Sequence, residues 1–89
     1  MSETIHDMSV SAIRDWLTDR VAAYLERPRG EIDPDQAFVE MGLDSVYAMT
    51  LSGDVEERFD IEVEPTLDWD HPSVNALAGY LHGELGPRG

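Results

Sequence analysis

The sequence predicts an all-α fold, a small four-helix bundle of three main helices and one short one. Three observations lead there. Apolar residues recur at steps of three and four in three separate stretches. Those stretches are bounded by capping residues, prolines and glycines. The only alternating run, Ile61-Glu62-Val63-Glu64, is short and has no second strand to pair with. The 89 residues allow one domain with one modest core. Residues 1–8 read as an N-terminal lead, 9–85 as the domain and 86–89 as a tail.

The first helix is expected from Val10 to Glu26, with Ser9 as N-cap and Pro28 and Gly30 as the stop. Val10, Ile13, Leu17, Val21, Tyr24 and Leu25 share its apolar face. A long connection from Arg27 to Asp44 is broken by Pro28, Gly30, Pro34 and Gly42. A connection of that length must pack down or carry function, and Phe38 and Leu43 are the residues expected to pin it.

The second helix should run from Ser45 to about Phe59, with Asp44 as N-cap after the Gly42-Leu43 turn. Val46, Met49, Val55 and Phe59 keep helical spacing, and Met49 reads first as a core residue. Gly53 in mid-helix costs close to 1 kcal/mol against alanine, so a close approach by another helix or chain is expected there. Ile61 and Val63 should be partly buried in an extended loop, followed by one helical turn over Thr66–Asp70. The last helix is expected to begin at Pro72, a residue suited to a first helical position, and to end at Gly86-Pro87. Val74, Leu77, Ala78, Leu81 and Leu85 form its apolar face.

Charge narrows the function. The formal net charge is −13, and from Glu31 to Asp70 there are thirteen acidic residues against one basic residue, Arg58. Such a surface repels nucleic-acid backbones and anionic lipids and attracts partners with basic patches. There is no cysteine, so disulfides, thiol nucleophiles and thiolate metal sites are excluded. The chain shows neither a membrane span nor a signal peptide, which points to the cytoplasm. Asp33-Pro34-Asp35 begins like a calcium loop, but Ala37 and Phe38 stand where ligand and glycine are needed. Asp68, Asp70 and His71 read as a capping and solvated cluster, and no metal is expected. Trp16 and Trp69 read as packing residues. Ser45 lacks the GxSxG elbow of a hydrolase, and His6, His71 and His82 have no spacing that makes one its base.

What remains for Ser45 is an exposed hydroxyl at a helix start, where unpaired N–H groups and a partial positive charge favour an attached phosphate. The segment Met41-Gly42-Leu43-Asp44-Ser45-Val46 resembles the 4′-phosphopantetheine attachment motif of acyl carrier proteins, GxDS followed by an apolar residue. The surroundings extend the likeness: Glu56-Glu57-Arg58-Phe59 closes the helix, Ile61-Glu62-Val63 follows, and residues 70–81 are similar to the closing signature of polyketide and nonribosomal peptide synthase carriers.

The resemblance implies a bundle of the acyl-carrier type that is not an enzyme and that carries acyl groups as thioesters. The cofactor would be 4′-phosphopantetheine, transferred from coenzyme A onto Ser45 by a phosphopantetheinyl transferase. Asp44 would help position the serine and the magnesium-bound coenzyme A, with Gly42 and Leu43 completing the cofactor site. Partners would be that transferase, a loading enzyme (an acyltransferase or an acyl-adenylate ligase), and synthase or condensation domains. The partner surface would comprise Val46, Met49, Asp54, Glu56 and Glu57, and reversing charge at Glu56 and Glu57 is expected to slow loading without unfolding. Val46 stands where the family usually has leucine, and Tyr47 and Gly53 are unusual on this helix. A free-standing monomer is expected. The alternatives are a peptidyl carrier and an unmodified acidic interaction module.

Overall fold

A computed structural model describes residues 9–64 and 66–85. The lead, the tail, Pro65 and the Gly86-Pro87 stop lie outside them. The element order is α1 (Val10–Leu25), a 3-10 turn (Arg29–Glu31), α2 (Phe38–Met41), α3 (Ser45–Phe59), α4 (Leu67–Asp70) and α5 (Val74–Leu85), with no strand among the described residues.

The Ser9 hydroxyl caps α1 by accepting the Ala12 N–H at 3.2 Å. The helix ends before Pro28, because Glu26 turns into the left-handed region (φ 56°). There the Arg27 N–H donates to the Ala22 carbonyl at 3.0 Å and the Glu26 N–H to that of Ala23 at 3.3 Å. The apolar stripe of α1 faces the core through Ile13, Leu17, Val21 and Ala22, while Val10 is exposed. Its main partner is α5, whose Val74, Leu77, Ala78, Leu81 and Leu85 are all buried as the spacing predicts. Each buried valine, leucine or isoleucine among them contributes about 1.5–3 kcal/mol by leaving water.

The long connection is not structureless. Phe38 and Leu43 pin it as expected, and α2 forms one helical turn between them. Its outer half is tied to the start of α5. The Phe38 N–H donates to the Pro72 carbonyl at 2.7 Å and the Asn75 N–H to the Pro34 carbonyl at 2.9 Å. The Asn75 side-chain amide donates to Asp35 Oδ1 at 2.7 Å, and Asp33 Oδ1 accepts the Asp35 N–H at 2.9 Å. The aspartates that begin like a calcium loop therefore act as turn and tether.

These contacts explain one departure from expectation. Helix α5 starts at Val74, not Pro72, because the Ser73 hydroxyl takes the capping position and accepts the Ala76 N–H at 3.1 Å. The Pro72 carbonyl serves the connection instead. Trp16 packs edge-on against Phe59, with ring centroids 5.2 Å apart. Trp69 does not pack: it is 75% exposed, because Leu67 takes the buried face of the single-turn α4. His71 stacks on Tyr80 at 4.1 Å, and among the described residues no group of three or more His, Asp or Glu side chains could hold a metal.

Gly53 has open space where a Cβ would stand, so no neighbouring helix accounts for it. Its backbone is ordinary helix. Gly53→Ala should accordingly raise stability by about 0.5–1 kcal/mol, which chemical denaturation would report as a higher midpoint at unchanged slope.

A modification site at the start of the third helix

The turn into α3 is built from α2 outward. Gly42 adopts φ 97°, a conformation that a side chain would strain. The Gly42 N–H donates to the Val39 carbonyl at 3.2 Å and the Leu43 N–H to the Phe38 carbonyl at 3.1 Å. This paired closure ends α2 with Phe38 and Leu43 both in the core. Leu43 thus anchors the chain two residues before Ser45.

Asp44 then extends (φ −87°, ψ −179°) and caps α3, its Oδ1 accepting the Tyr47 N–H at 3.1 Å. Its carbonyl accepts the Ala48 N–H at 2.9 Å. Ser45 is the first residue of this 15-residue helix and is exposed. The N–H groups of Ser45 and Val46 find no acceptor among the described residues. An exposed hydroxyl, two free N–H groups, the positive end of a helix dipole and an uncrowded glycine turn fit a phosphodiester-linked prosthetic arm.

Sequence reasoning placed Met49 first in the core. The structure puts it on the surface, 63% exposed beside Val46 at 67%, because Leu51, Ala48 and Val55 take the buried arc. Glu57 is exposed on the same side of the helix. The other two acidic candidates are held within the molecule. Glu56 Oε2 accepts the Val63 N–H at 3.0 Å and fastens the 61–64 segment to α3. Asp54 Oδ2 pairs with Arg20 at 3.1 Å and accepts the Tyr24 hydroxyl. Burial and that bond to Asp54 push the Tyr24 phenol up to about 12, so it stays a donor. A cleft of about 180 Å³, lined by Met49, Ser52, Gly53, Glu56 and Val63, runs beside the exposed face.

A family model described as a phosphopantetheine attachment site matches residues 15–81. The chain belongs to the phosphopantetheine-binding carrier family. Members carry 4′-phosphopantetheine covalently on a serine, and carrier domains work with synthase enzymes.

A free-standing peptidyl carrier protein from a secondary metabolic pathway of Acinetobacter baumannii is 41% identical, with a TM-score of 0.87 over 90% of this chain and 100% of that one. An acyl carrier protein from Anabaena sp. PCC 7120 with a variant phosphopantetheinylation-site sequence is 30% identical, with a TM-score of 0.83 over 97% and 98% of the two chains. A phenolphthiocerol/phthiocerol polyketide synthase subunit of Mycobacterium tuberculosis is 38% identical over 69 residues, which make up 78% of this chain and 4% of that protein. The carrier domain thus spans a few per cent of the length of the curated relatives it matches.

Two features of the carrier surface were not legible in its sequence. Trp69 is the most exposed large apolar side chain among the described residues, and Val39, beside the site, is 65% exposed. Only the sidedness of two four-residue helices reveals them, and four residues carry no readable period.

Proposed function

We propose that Ser45 bears 4′-phosphopantetheine and that the domain carries acyl intermediates of secondary metabolism between enzymes without catalysing a reaction itself. The observation that carries this reading is the exposed Ser45 hydroxyl on the capped first turn of α3, preceded by Gly42 in its left-handed turn. During modification the Ser45 oxygen bonds to phosphorus as the diphosphate bond of coenzyme A breaks and adenosine 3′,5′-bisphosphate leaves. Ser45 loses its proton to a base on the transferase, and Asp44 orients the hydroxyl and the magnesium-bound donor. When attached, the arm supplies a thiol that holds acyl groups as thioesters activated for transfer. The chain's own part is to root the arm, keep its phosphate against the free N–H groups of Ser45 and Val46, and raise the cargo's effective concentration at each active site.

The loading enzyme in this reading is an acyltransferase or an acyl-adenylate ligase, and the recipients are synthase or condensation domains. The protein works as a monomer in the cytoplasm. No helix among the described residues is long and apolar enough to cross a membrane. A peptidyl cargo is the second reading, favoured by the 41% identical peptidyl carrier. Intact mass after incubation with coenzyme A, magnesium and a broad-specificity phosphopantetheinyl transferase tests the assignment. A gain of one phosphopantetheine is expected, and an unchanged mass overturns it.

The partner face is Val46, Met49 and Glu57. Its acidic rim behaves differently at two adjacent positions. Glu57→Lys should slow loading by the cognate enzyme several-fold at low salt, with the thermal midpoint unchanged, because exposed charge acts on encounter. Glu56→Lys should also cost about 1–2 kcal/mol of stability, since it strips the acceptor from the Val63 N–H. Equal thermal midpoints for the two variants would show that this bond holds nothing in place.

A further inference from the structure

Ser45 is addressed by a chain of contacts that begins on another helix. Tyr47, whose N–H is the donor of the Asp44 cap, lays its ring on that of Tyr24 in α1, with centroids 5.7 Å apart and planes 11° from parallel. The Tyr24 hydroxyl donates to Asp54, further along α3, and Arg20 closes the group by pairing with the same carboxylate oxygen at 3.1 Å. The Arg20 guanidinium also lies over the Tyr24 ring, 5.4 Å from its centroid. Helix α1 packs mainly against α5, and these contacts add to the shared core and to Trp16 on Phe59 in fixing α3 to α1.

The two attachments of Tyr24 act at different heights on α3. One, through Asp54, is in mid-helix; the other, through Tyr47, is in the first turn. Together they brace α3, whose facing its buried residues set, at two heights and clamp the turn on which Ser45 stands. Helix ends fray at little cost unless held, and Asp44 can cap only a first turn that is formed. Tyr47 is partly exposed, so its ring is held by Tyr24 and not by the core.

We propose that Tyr24, with Asp54 and Arg20 behind it, is a positioning residue for the modification of Ser45, acting through the Tyr47 ring on the Asp44-capped first turn. This inference rests on the assignment of Ser45 as the attachment residue. Asp54 acts in this arrangement as a strut between α1 and α3, with its side chain 29% exposed.

The test is the rate of phosphopantetheine transfer from coenzyme A by a broad-specificity transferase, on the full chain well below its thermal midpoint. Tyr24→Ala should lower kcat/KM about fivefold, the order expected when one aromatic stack that holds a frayable turn is lost. Tyr24→Phe keeps the stack but loses the bond to Asp54, so its kcat/KM should fall by about twofold, between Tyr24→Ala and the parent. Amide hydrogen exchange at Tyr47 should quicken most in Tyr24→Ala and less in Tyr24→Phe. In a Tyr47→Ala background, where the relay is already cut, Tyr24→Ala should change the rate no further.

A folded Tyr24→Ala protein modified at the parent rate, or a Tyr24 effect that persists in full without the Tyr47 ring, overturns the proposal. A parent protein that takes up no phosphopantetheine overturns the Ser45 assignment instead, so the two failures are distinguishable.

Discussion

Phe38→Ala should destabilise the domain by about 3–5 kcal/mol, a large share of the roughly 5–15 kcal/mol that holds a small domain together. Phe38 is 1% exposed and joins three parts of the fold. Its ring fills the core, its N–H is bonded to the Pro72 carbonyl ahead of α5, and its carbonyl receives the Leu43 N–H that closes the turn before Ser45. Truncation leaves a cavity beneath the connection that presents the site, and backbone bonds alone do not refill it. Next to it in sequence, Val39 points outward, and Val39→Ala should change stability by no more than about 0.5 kcal/mol. Urea titration of both variants decides the matter. Similar midpoints would show that the connection is not pinned through Phe38. In conditions where Phe38→Ala is partly unfolded, the rate of Ser45 modification should fall in step with the folded fraction.

The contrast between Phe38 and Val39 also marks how far a sequence can be read. The faces of α1 and α5 follow from apolar spacing because each helix runs long enough to show a period and because both bury one stripe against the other. Asp44 as a cap and Gly42 as a turn were legible for local reasons: each does its work within a few residues of itself. The outward position of Met49 was not legible. Methionine suits a core as well as a surface, and only the arc taken by Ala48, Leu51 and Val55 settles which side of α3 faces in. The start of α5 was misread for a related reason. Pro72 and Ser73 both suit a helix start, and the choice between them is made by the Phe38 N–H, more than thirty residues away in sequence. Asp54 and Glu56 likewise have partners within the fold, which charge alone does not reveal, while staying partly exposed. Met49, Asp54 and Glu56 all lie on the surface that enzymes are proposed to meet, where the sequence shows charge and apolarity but not direction.

Ser45→Ala should abolish phosphopantetheine uptake altogether while leaving stability within about 0.5 kcal/mol of the parent, because the exposed Ser45 side chain makes no hydrogen bond among the described residues. Asp44 separates into two roles by the same assay. Asp44→Ala removes the acceptor for the Tyr47 N–H and should cost about 1 kcal/mol as well as slowing modification. Asp44→Asn keeps a capping oxygen, so stability should change by only a few tenths of a kcal/mol. It nevertheless loses the charge proposed to meet magnesium-bound coenzyme A, and on that proposal its modification should slow by about tenfold or more, the scale of a lost charge-assisted contact. Rates at parent level in Asp44→Asn, with slow rates in Asp44→Ala, would reduce Asp44 to a cap alone. The helix dipole by itself favours a carboxylate at this cap by a few tenths of a kcal/mol, and asparagine caps almost as well, so stability alone does not separate the two residues. The difference that the charge makes should therefore appear in the transfer rate, and the Asp44→Asn rate set against its stability is what divides the cap from the proposed contact with the donor.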